Sequence, residues 1–301
     1  MNPGWDESVP SLAKLEVMRN FIPFSCLLLC AGLLPGLLLP AAPAGGGAPD
    51  AAQAAVDQAL ARELSAAGDT SHPMLYLLHK TSPHLTTTKE IMETRDGAVA
   101  RLLDVNDEPL NPTGVQKEDA RLAALYADPG RQGRRKQAED EDRERVLKVL
   151  RAMPSAFVFQ YAGPDTATAG RVERYSFTPD RKFSPPDLET QVLTGMSGEI
   201  WIDQQSGRVT RLEAHLQRDV DFMWGVLGRL NKGGWITIDQ ADVGGGQWRT
   251  VRFQMAMTGR VLFKTRVFDT TEEESQFSPL PANLGYRQAI EMLRTQPEQG
   301  R

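Results

Sequence analysis

The chain has 301 residues, with 34 Lys and Arg against 39 Asp and Glu, and a formal net charge of −5. This acidic balance argues against nucleic acid as a partner, because phosphate binding needs clustered positive charge. The composition is that of a globular protein, and the length allows one large domain or two small ones. The two cysteines, Cys26 and Cys30, lie in one apolar run, which excludes a disulfide framework or a cysteine zinc site in the folded part.

The N-terminal region contains an uncharged apolar run, Phe21–Leu39, preceded by a short basic segment at 18–20. A small-x-small sequence ending at Ala44 follows it. This order is typical of a secretory signal peptide, so we expect removal of residues 1–44 and a periplasmic or secreted protein. The alternative is an uncleaved inner-membrane anchor, since 19 uncharged residues can nearly span a bilayer. Acidic residues precede the run, which leaves Met18 as an alternative start.

After the leader, residues 45–70 are interpreted as a linker followed by a helix. Apolar positions fall on one face over Ala51–Ala67, which predicts an amphipathic helix. Two runs then follow, Thr86–Arg95 and Ala98–Val105, the first rich in threonine. They flank Asp96-Gly97, and Asp-Gly between such runs predicts a β-hairpin.

Residues 71–301 are interpreted as a single domain with a helical insertion at about 115–153. Within the insertion, helices are predicted over Lys117–Tyr126 and Glu139–Met153. The basic run Arg131–Lys136 lies between them. Because acidic residues follow this run closely, its charges favour a solvated helical face over a patch that binds acidic headgroups.

From residue 155 onward, the sequence is typical of short strands separated by turns. The clearest predicted strands are Glu199–Asp203, Arg208–Leu216, Trp235–Val243, Gln247–Met257 and Val261–Phe268, the last after a turn at Gly259-Arg260. A terminal helix is predicted over Ala282–Arg294. About nine strands joined by short turns indicate an antiparallel meander with grouped helices, which is an α+β fold.

No catalytic motif is present in the sequence. His72, His79 and His84 lack the spacing of a metal site, and no phosphate-binding loop occurs. The nearest fragment to a serine nucleophile elbow, Gly195–Gly198, is interpreted as a turn. We therefore expect no enzymatic activity, no metal and no cofactor.

The segment Phe222–Trp235 is apolar, glycine-rich and contains both Trp224 and Trp235. One interpretation is a buried turn between two strands. The other is a mobile loop at the mouth of a cavity or at a membrane surface, where Arg229 and Lys232 would sit near headgroups. Any contact with a membrane is expected to be peripheral.

The predicted hairpin formed by Gly198–Asp203 and Arg208–Leu212 resembles the periplasmic lipoprotein-carrier family, which includes the outer-membrane lipoprotein-sorting proteins. A G-x-h-W-I-D sequence followed by R-h-x-R-h, where h is hydrophobic, is frequent in that family. The resemblance implies an unclosed antiparallel half-barrel that curves over helices and holds acyl chains. The long helical stretch Lys117–Met153 departs from a compact carrier.

Large apolar residues at in-phase strand positions then predict where a hydrophobic ligand binds. These residues are Phe157, Phe159, Tyr175, Phe177, Val251, Phe253, Met255 and Met257. The ligand would be a lipid or a lipoprotein acyl chain. The alternative is that these residues form an ordinary core, in an envelope sensor or scaffold without catalytic activity that binds another envelope protein.

Overall fold

The computed structural model describes residues 49–165, 171–222, 228–261 and 264–295. The predicted signal peptide and its cleavage site lie outside these ranges. The helices are α1 (Pro49–Ala67), α2 (Pro112–Ala127), α3 (Pro129–Ala156), α4 (Leu188–Gln191) and α5 (Tyr286–Thr295). The strands are β1 (Met74–Ser82), β2 (Leu85–Met92), β3 (Val99–Val105), β4 (Glu108–Pro109), β5 (Phe157–Pro164), β6 (Val172–Pro179), β7 (Met196–Asp203), β8 (Val209–Leu216), β9 (Val220–Phe222), β10 (Gly228–Leu230), β11 (Trp235–Asp242), β12 (Trp248–Val261) and β13 (Lys264–Pro279).

All thirteen described strands belong to one sheet, whose main path runs β4-β3-β2-β1-β13-β12-β11-β8-β7-β6-β5. Every described pairing is antiparallel. The two ends of this path, β4 and β5, do not pair with each other, so the sheet is open. The predicted fold class is confirmed: an α+β fold in which a curved antiparallel sheet, an unclosed half-barrel, packs over helices.

The N-terminal hairpin joins the sheet through the C-terminal strand. Strand β1 pairs with β13 from Met74↔Pro279 to Thr81↔Thr271. Sequence analysis predicted neither β1 nor the half of β13 beyond Phe268. The second half of β13 contains three consecutive glutamates, Glu272 to Glu274. Such a run is not typical of a strand. Its strand structure depends on pairing with β1, nearly 200 residues away in sequence.

Strand β12 is longer than predicted, because Gly259 and Arg260 continue it instead of forming a turn. At this point β12 pairs with the short strand β10 through Leu230↔Gly259. A Cβ atom on Gly259 would lie 2.6 Å from the carbonyl oxygen of Arg229. Glycine is therefore needed here for close approach of two backbones, and the prediction of a turn was wrong.

Helix α3 begins earlier and ends later than predicted. The Asp128 carboxylate caps it by accepting a hydrogen bond from the backbone N–H of Arg131 at 2.8 Å. The basic run Arg131–Lys136 consequently lies inside α3 and not between two helices. Pro154 sits in the last turn, where only the final residues of the helix follow it before Phe157 starts β5.

Two layers of helices cover different parts of the sheet. Helix α1 and the C-terminal part of α3 pack on the face formed by β5 to β12, which we call the concave face. Helices α2 and α5 form a second cluster with Met92 of β2 and Val99 of β3. Helix α2 also covers the edge of β3, because the Leu102 N–H donates to the Glu118 carboxylate at 2.8 Å. This contact protects an edge strand from pairing with another chain.

Candidate functional site

Seven of the eight residues predicted to bind a hydrophobic ligand lie on the concave face. They belong to its core cluster and are at most 6% exposed. The eighth, Val251, is half-buried at a register shift of β12 and is not part of that cluster. Strand alternation explains the placement of the seven, since successive side chains point to opposite faces of a sheet. The role of all eight in binding a ligand stays a prediction.

The seven clustered residues form two groups on the concave face. On β5 and β6, the ring centroids of Phe157 and Phe177 are 4.6 Å apart, and those of Phe159 and Phe177 are 6.0 Å apart. The β12 residues, including Phe253 and Met255, lie on the other side of β7, β8 and β11. At about 4.8 Å per strand, the groups are about 19 Å apart across the sheet. Sequence analysis did not predict the residues that bridge them: Ile200, Leu216 and Ile236.

Tyr175 is the one polar residue among the predicted eight. Its hydroxyl donates a hydrogen bond to Glu173 Oε2 at 2.6 Å. Burial, and then the hydrogen bond and the negative charge of Glu173, raise the pKa of Tyr175 well above its usual range. The phenol therefore stays protonated, and its ring contributes apolar surface to the cluster.

Helix α1, which covers part of the concave face, contributes mainly small side chains: Ala52, Val56, Ala59 and Leu60. Helix α3 supplies Ala152, Met153 and Ala156, and its Val149 and Leu150 pack partly buried against the same cluster. Small residues let a helix backbone approach the sheet closely while adding little apolar area of their own. Under α1, the aromatic and methionine residues of the sheet therefore contact little apolar side-chain area of the helix.

Helix α1 is held at its C-terminal end by a buried ion pair. Glu63 accepts hydrogen bonds from Nε and Nη2 of Arg208 at 2.7 and 2.9 Å, and from the backbone N–H of Val209 at 3.0 Å. The Glu63 side chain is 3% exposed and that of Arg208 is 14% exposed. Such a bidentate arrangement fixes orientation as well as distance. It connects the helix directly to the start of β8.

Near its other end, α1 is held by Gln53. The Gln53 Nε2 donates to the carbonyl oxygen of Pro154 at 3.0 Å, and its Oε1 accepts from the backbone N–H of Phe159 at 3.4 Å. The amide thereby bridges α1, the end of α3 and β5. Gln53 and Glu63 are polar clamps at either end of an alanine-rich helix.

A buried charged cluster lies where β1, β2, β12 and β13 meet. Arg249 is 1% exposed, and its Nη2 lies 3.8 Å from Glu93 and donates to the carbonyl oxygen of His72 at 2.9 Å. Glu272, which is 4% exposed, pairs with Lys80 at 2.6 Å. Sequence analysis missed this cluster, because it forms only when β1 pairs with β13.

Burial has a large effect on the carboxyl groups of this cluster. It raises the pKa of Glu93 to about 8, although Arg249 and the Met74 N–H oppose the shift. Burial, and then the neighbouring Glu93 and Glu272, likewise raise the pKa of Glu274 to about 8. Within the described ranges, Glu93 Oε1 and Glu272 Oε2 have no hydrogen-bond partner. Glu93 and Glu274 are therefore expected to be protonated at neutral pH.

The predicted loop residues are separated by the structure. Phe222 ends β9 and is 2% exposed, in the core cluster. Trp235 begins β11 and is half-buried, opposite His215 and Ala256. Trp224 lies outside the described residues. The interpretation of these three residues as a cavity-mouth or membrane loop stays a prediction.

In the part of the chain that the structure describes, no group of three or more His, Cys, Asp or Glu residues is arranged to hold a metal ion. Of the histidines, His79 contacts Thr88 at 3.2 Å and lies 3.7 Å from Asp107. No helix within the described ranges is both long and apolar enough to cross a membrane.

Comparisons with known proteins add one similar structure. No protein-family model matches the chain, and no curated protein matches it significantly. Among solved structures, the chain is similar to an outer membrane lipoprotein-sorting protein domain from Vibrio parahaemolyticus. The match covers 77% of this chain and 93% of that domain, with 10% identity and a TM-score of 0.30. That domain belongs to the kind of protein that the Gly198–Leu212 hairpin resembles.

Proposed function

We propose that this is an exported protein of the cell envelope that binds a lipid or lipoprotein acyl chain on the concave face of its sheet. The observation that supports the proposal is the composition of the α1 contact. A broad surface of Phe, Met, Ile and Leu side chains is covered there by a helix whose buried face is largely alanine. In the proposed mode of binding, the acyl chain takes the place of α1.

The magnitudes favour an acyl chain over the helix. Burying a Val or Leu side chain contributes about 1.5–3 kcal/mol, and a methyl group contributes about 0.8 kcal/mol. The apolar side chains of α1, chiefly Val56, Leu60 and three alanines, then contribute about 5–8 kcal/mol. Full burial of a saturated chain of about 16 carbons would contribute about 12 kcal/mol. The ligand thus provides more apolar contact than the helix does.

The Glu63–Arg208 ion pair opposes displacement of α1, and this allows a direct test. A fluorescent fatty acid is titrated into the wild-type protein, into Glu63→Gln and into the control Glu144→Gln. Glu144 also pairs with an arginine, Arg151, but on the surface, where both side chains are about half exposed. Weakening the α1 clamp by about 3 kcal/mol is expected to tighten probe binding by up to about 100-fold.

The control variant is expected to bind the probe as the wild type does, because exposed ion pairs contribute little. Circular dichroism at the assay temperature shows that each variant is folded. The proposal fails if Glu63→Gln is folded and binds the fatty acid no more tightly than Glu144→Gln. It also fails if neither protein binds the probe.

The second candidate is an envelope scaffold or sensor that binds another protein. The edge strand β5 favours it, because Val158 and Tyr161 are 39% and 41% exposed there. An exposed edge strand can add a strand from a partner. A pull-down from an envelope extract that fails with Val158→Lys, while fatty-acid binding is absent, would support this candidate over the first.

A further inference from the structure

The hairpin formed by β12 and β13 extends beyond β1 on one side of the sheet. Pairing of β13 with β1 begins only at Thr271↔Thr81. The first part of β13, Lys264–Asp269, therefore pairs with β12 alone among the described strands. At about 3.3 Å per residue, this part is about 20 Å long. On the other side, Gly259–Val261 of β12 pair with the short strand β10, which in turn pairs with β9.

This end of the β12–β13 hairpin is basic, although the protein as a whole is acidic. Arg260, Lys264 and Arg266 are exposed, and none of them makes an ion pair or hydrogen bond with another described residue. Arg229 of β10 lies directly opposite Arg260, but it is paired with Asp219 and Asp221. Residues 219–222, 228–232, 258–261 and 264–269 contain five cations and three anions, a local charge of +2, whereas the whole chain carries −5.

An exposed apolar side chain accompanies these charges. Val267, on the outer part of β13, is 64% exposed, the highest exposure among the large hydrophobic residues of the described chain. The β1–β2 hairpin turns at the same end of the sheet, and its Leu85 is 48% exposed. Because directly paired residues share a face and successive residues alternate, Arg260 and Val267 lie on one face of the hairpin, and Lys264 and Arg266 lie on the other. Unpaired cations on both faces of an exposed hairpin, with an aliphatic side chain among them, match the chemistry of a membrane surface, where phosphates lie above acyl chains.

We propose that the β12–β13 hairpin docks the protein peripherally on an anionic lipid bilayer through Arg260, Lys264, Arg266 and Val267. Charge complementarity selects this occupant, because three unpaired cations on an acidic protein need a dense negative surface. Docking requires no ligand on the concave face, so it does not depend on the function proposed above. The net negative charge of the remaining surface would orient the hairpin toward the bilayer.

The test measures sedimentation of the full chain with vesicles. One set contains phosphatidylcholine with phosphatidylglycerol, and the other contains phosphatidylcholine alone. The measured quantity is the binding to anionic vesicles minus the binding to phosphatidylcholine vesicles, which we call the extra binding. Every variant contains the apolar N-terminal run, and this subtraction removes any charge-independent binding by that run. This extra binding is expected to fall as ionic strength rises above about 0.15 M, where the Debye length is about 8 Å.

The tip variant Arg260→Gln, Lys264→Gln, Arg266→Gln is expected to lose about 100-fold in extra binding. The matched control is Lys117→Gln, Arg131→Gln, Arg134→Gln, which removes the same charge from exposed positions on α2 and α3. It is expected to bind as the wild type does. A charge-keeping variant, Arg260→Lys with Arg266→Lys, is expected to retain binding, which separates loss of charge from loss of structure.

Equal loss in the tip and control variants would overturn the proposal, because binding would then follow net charge alone. Loss in the control but not in the tip variant would assign binding to the basic part of α3 instead. The proposal would also be overturned if the folded tip variant bound anionic vesicles as well as the wild-type protein does. The three cations would then only protect the edge of β13 from pairing with another chain.

Discussion

Glu63 and Arg208 are 145 residues apart in sequence, yet their side chains form a buried, two-point ion pair that joins α1 to β8. The same carboxylate accepts the backbone N–H of Val209 and, at 3.4 Å, the side-chain amide of Gln240, so one side chain satisfies four donors. This contact positions α1 over the apolar concave face. Together with the Gln53 hydrogen bonds at the other end of the helix, it must break before α1 can leave that face.

We predict that Glu63→Gln lowers the free energy of unfolding by about 3 kcal/mol, because Arg208 would keep a buried charge without its partner. Urea denaturation at neutral pH measures the change. For comparison, Glu144→Gln removes one partner of an exposed pair and is expected to cost less than about 1 kcal/mol. Equal effects in the two variants would show that Glu63 does not hold α1.

A second prediction concerns close approach of strands within the β7–β8 hairpin. A Cβ atom on Gly198 would lie 1.9 Å from the carbonyl oxygen of Glu213. Gly198→Ala is therefore expected to lower the free energy of unfolding by more than about 2 kcal/mol, through overpacking and backbone displacement.

The matched control for this substitution is Gly133→Ala in α3. A Cβ atom there would meet no other atom within 4 Å. Alanine is expected to stabilise the helix by about 0.5–1 kcal/mol, since glycine loses more backbone entropy on folding. Thermal denaturation of both variants gives opposite shifts in Tm. A neutral Gly198→Ala would contradict the described pairing of β7 with β8.

The raised pKa of Glu93 predicts a dependence of stability on pH. The ordinary pKa is 4.5 and the folded value is about 8, so between these values the folded state keeps a proton that the unfolded state has lost. The contribution of Glu93 to the free energy of unfolding therefore falls as pH rises from about 4.5 to 8, and this contribution is constant below and above that window. The decrease is on the order of a few kcal/mol.

Replacing Glu93 by glutamine is expected to remove much of this decrease, because a neutral amide has no proton to lose. Urea denaturation at pH 5, 7 and 9 measures it, with the exposed Glu108→Gln as control. Glu274 has a pKa of about 8 as well, so a smaller slope is expected to remain in Glu93→Gln. A slope that Glu93→Gln leaves unchanged would mean that Glu93 is ionised at neutral pH.

Local patterns predicted those elements whose signals are contained in one stretch of sequence. The apolar stripe over Ala51–Ala67 predicted α1, and the Asp96-Gly97 turn predicted the β2–β3 hairpin. The G-x-h-W-I-D hairpin appeared as β7 and β8. The grouping of Phe157, Phe177 and Phe253 on one face followed from the two-residue period of strands.

The charged cluster could not be predicted from the same patterns. Glu93 directly follows β2, Arg249 lies on β12 and Glu272 lies on β13, and their burial depends on the β1–β13 pairing. In sequence, each looks like an ordinary surface charge. The clamp between Glu63 and Arg208 was missed for the same reason, because an ion pair between helix and sheet leaves no local spacing. Long-range pairing therefore decides which charges are buried.

The most direct test of the central proposal is lipid analysis of the protein purified from the cell envelope. Organic extraction followed by mass spectrometry identifies any acyl-chain lipid and its ratio to protein. The account predicts a bound lipid or fatty acid at about one molecule per chain, tightly held because each buried methylene contributes about 0.8 kcal/mol. A protein that carries no lipid and binds no fatty-acid probe would contradict the account, and its concave face would then be a packed core.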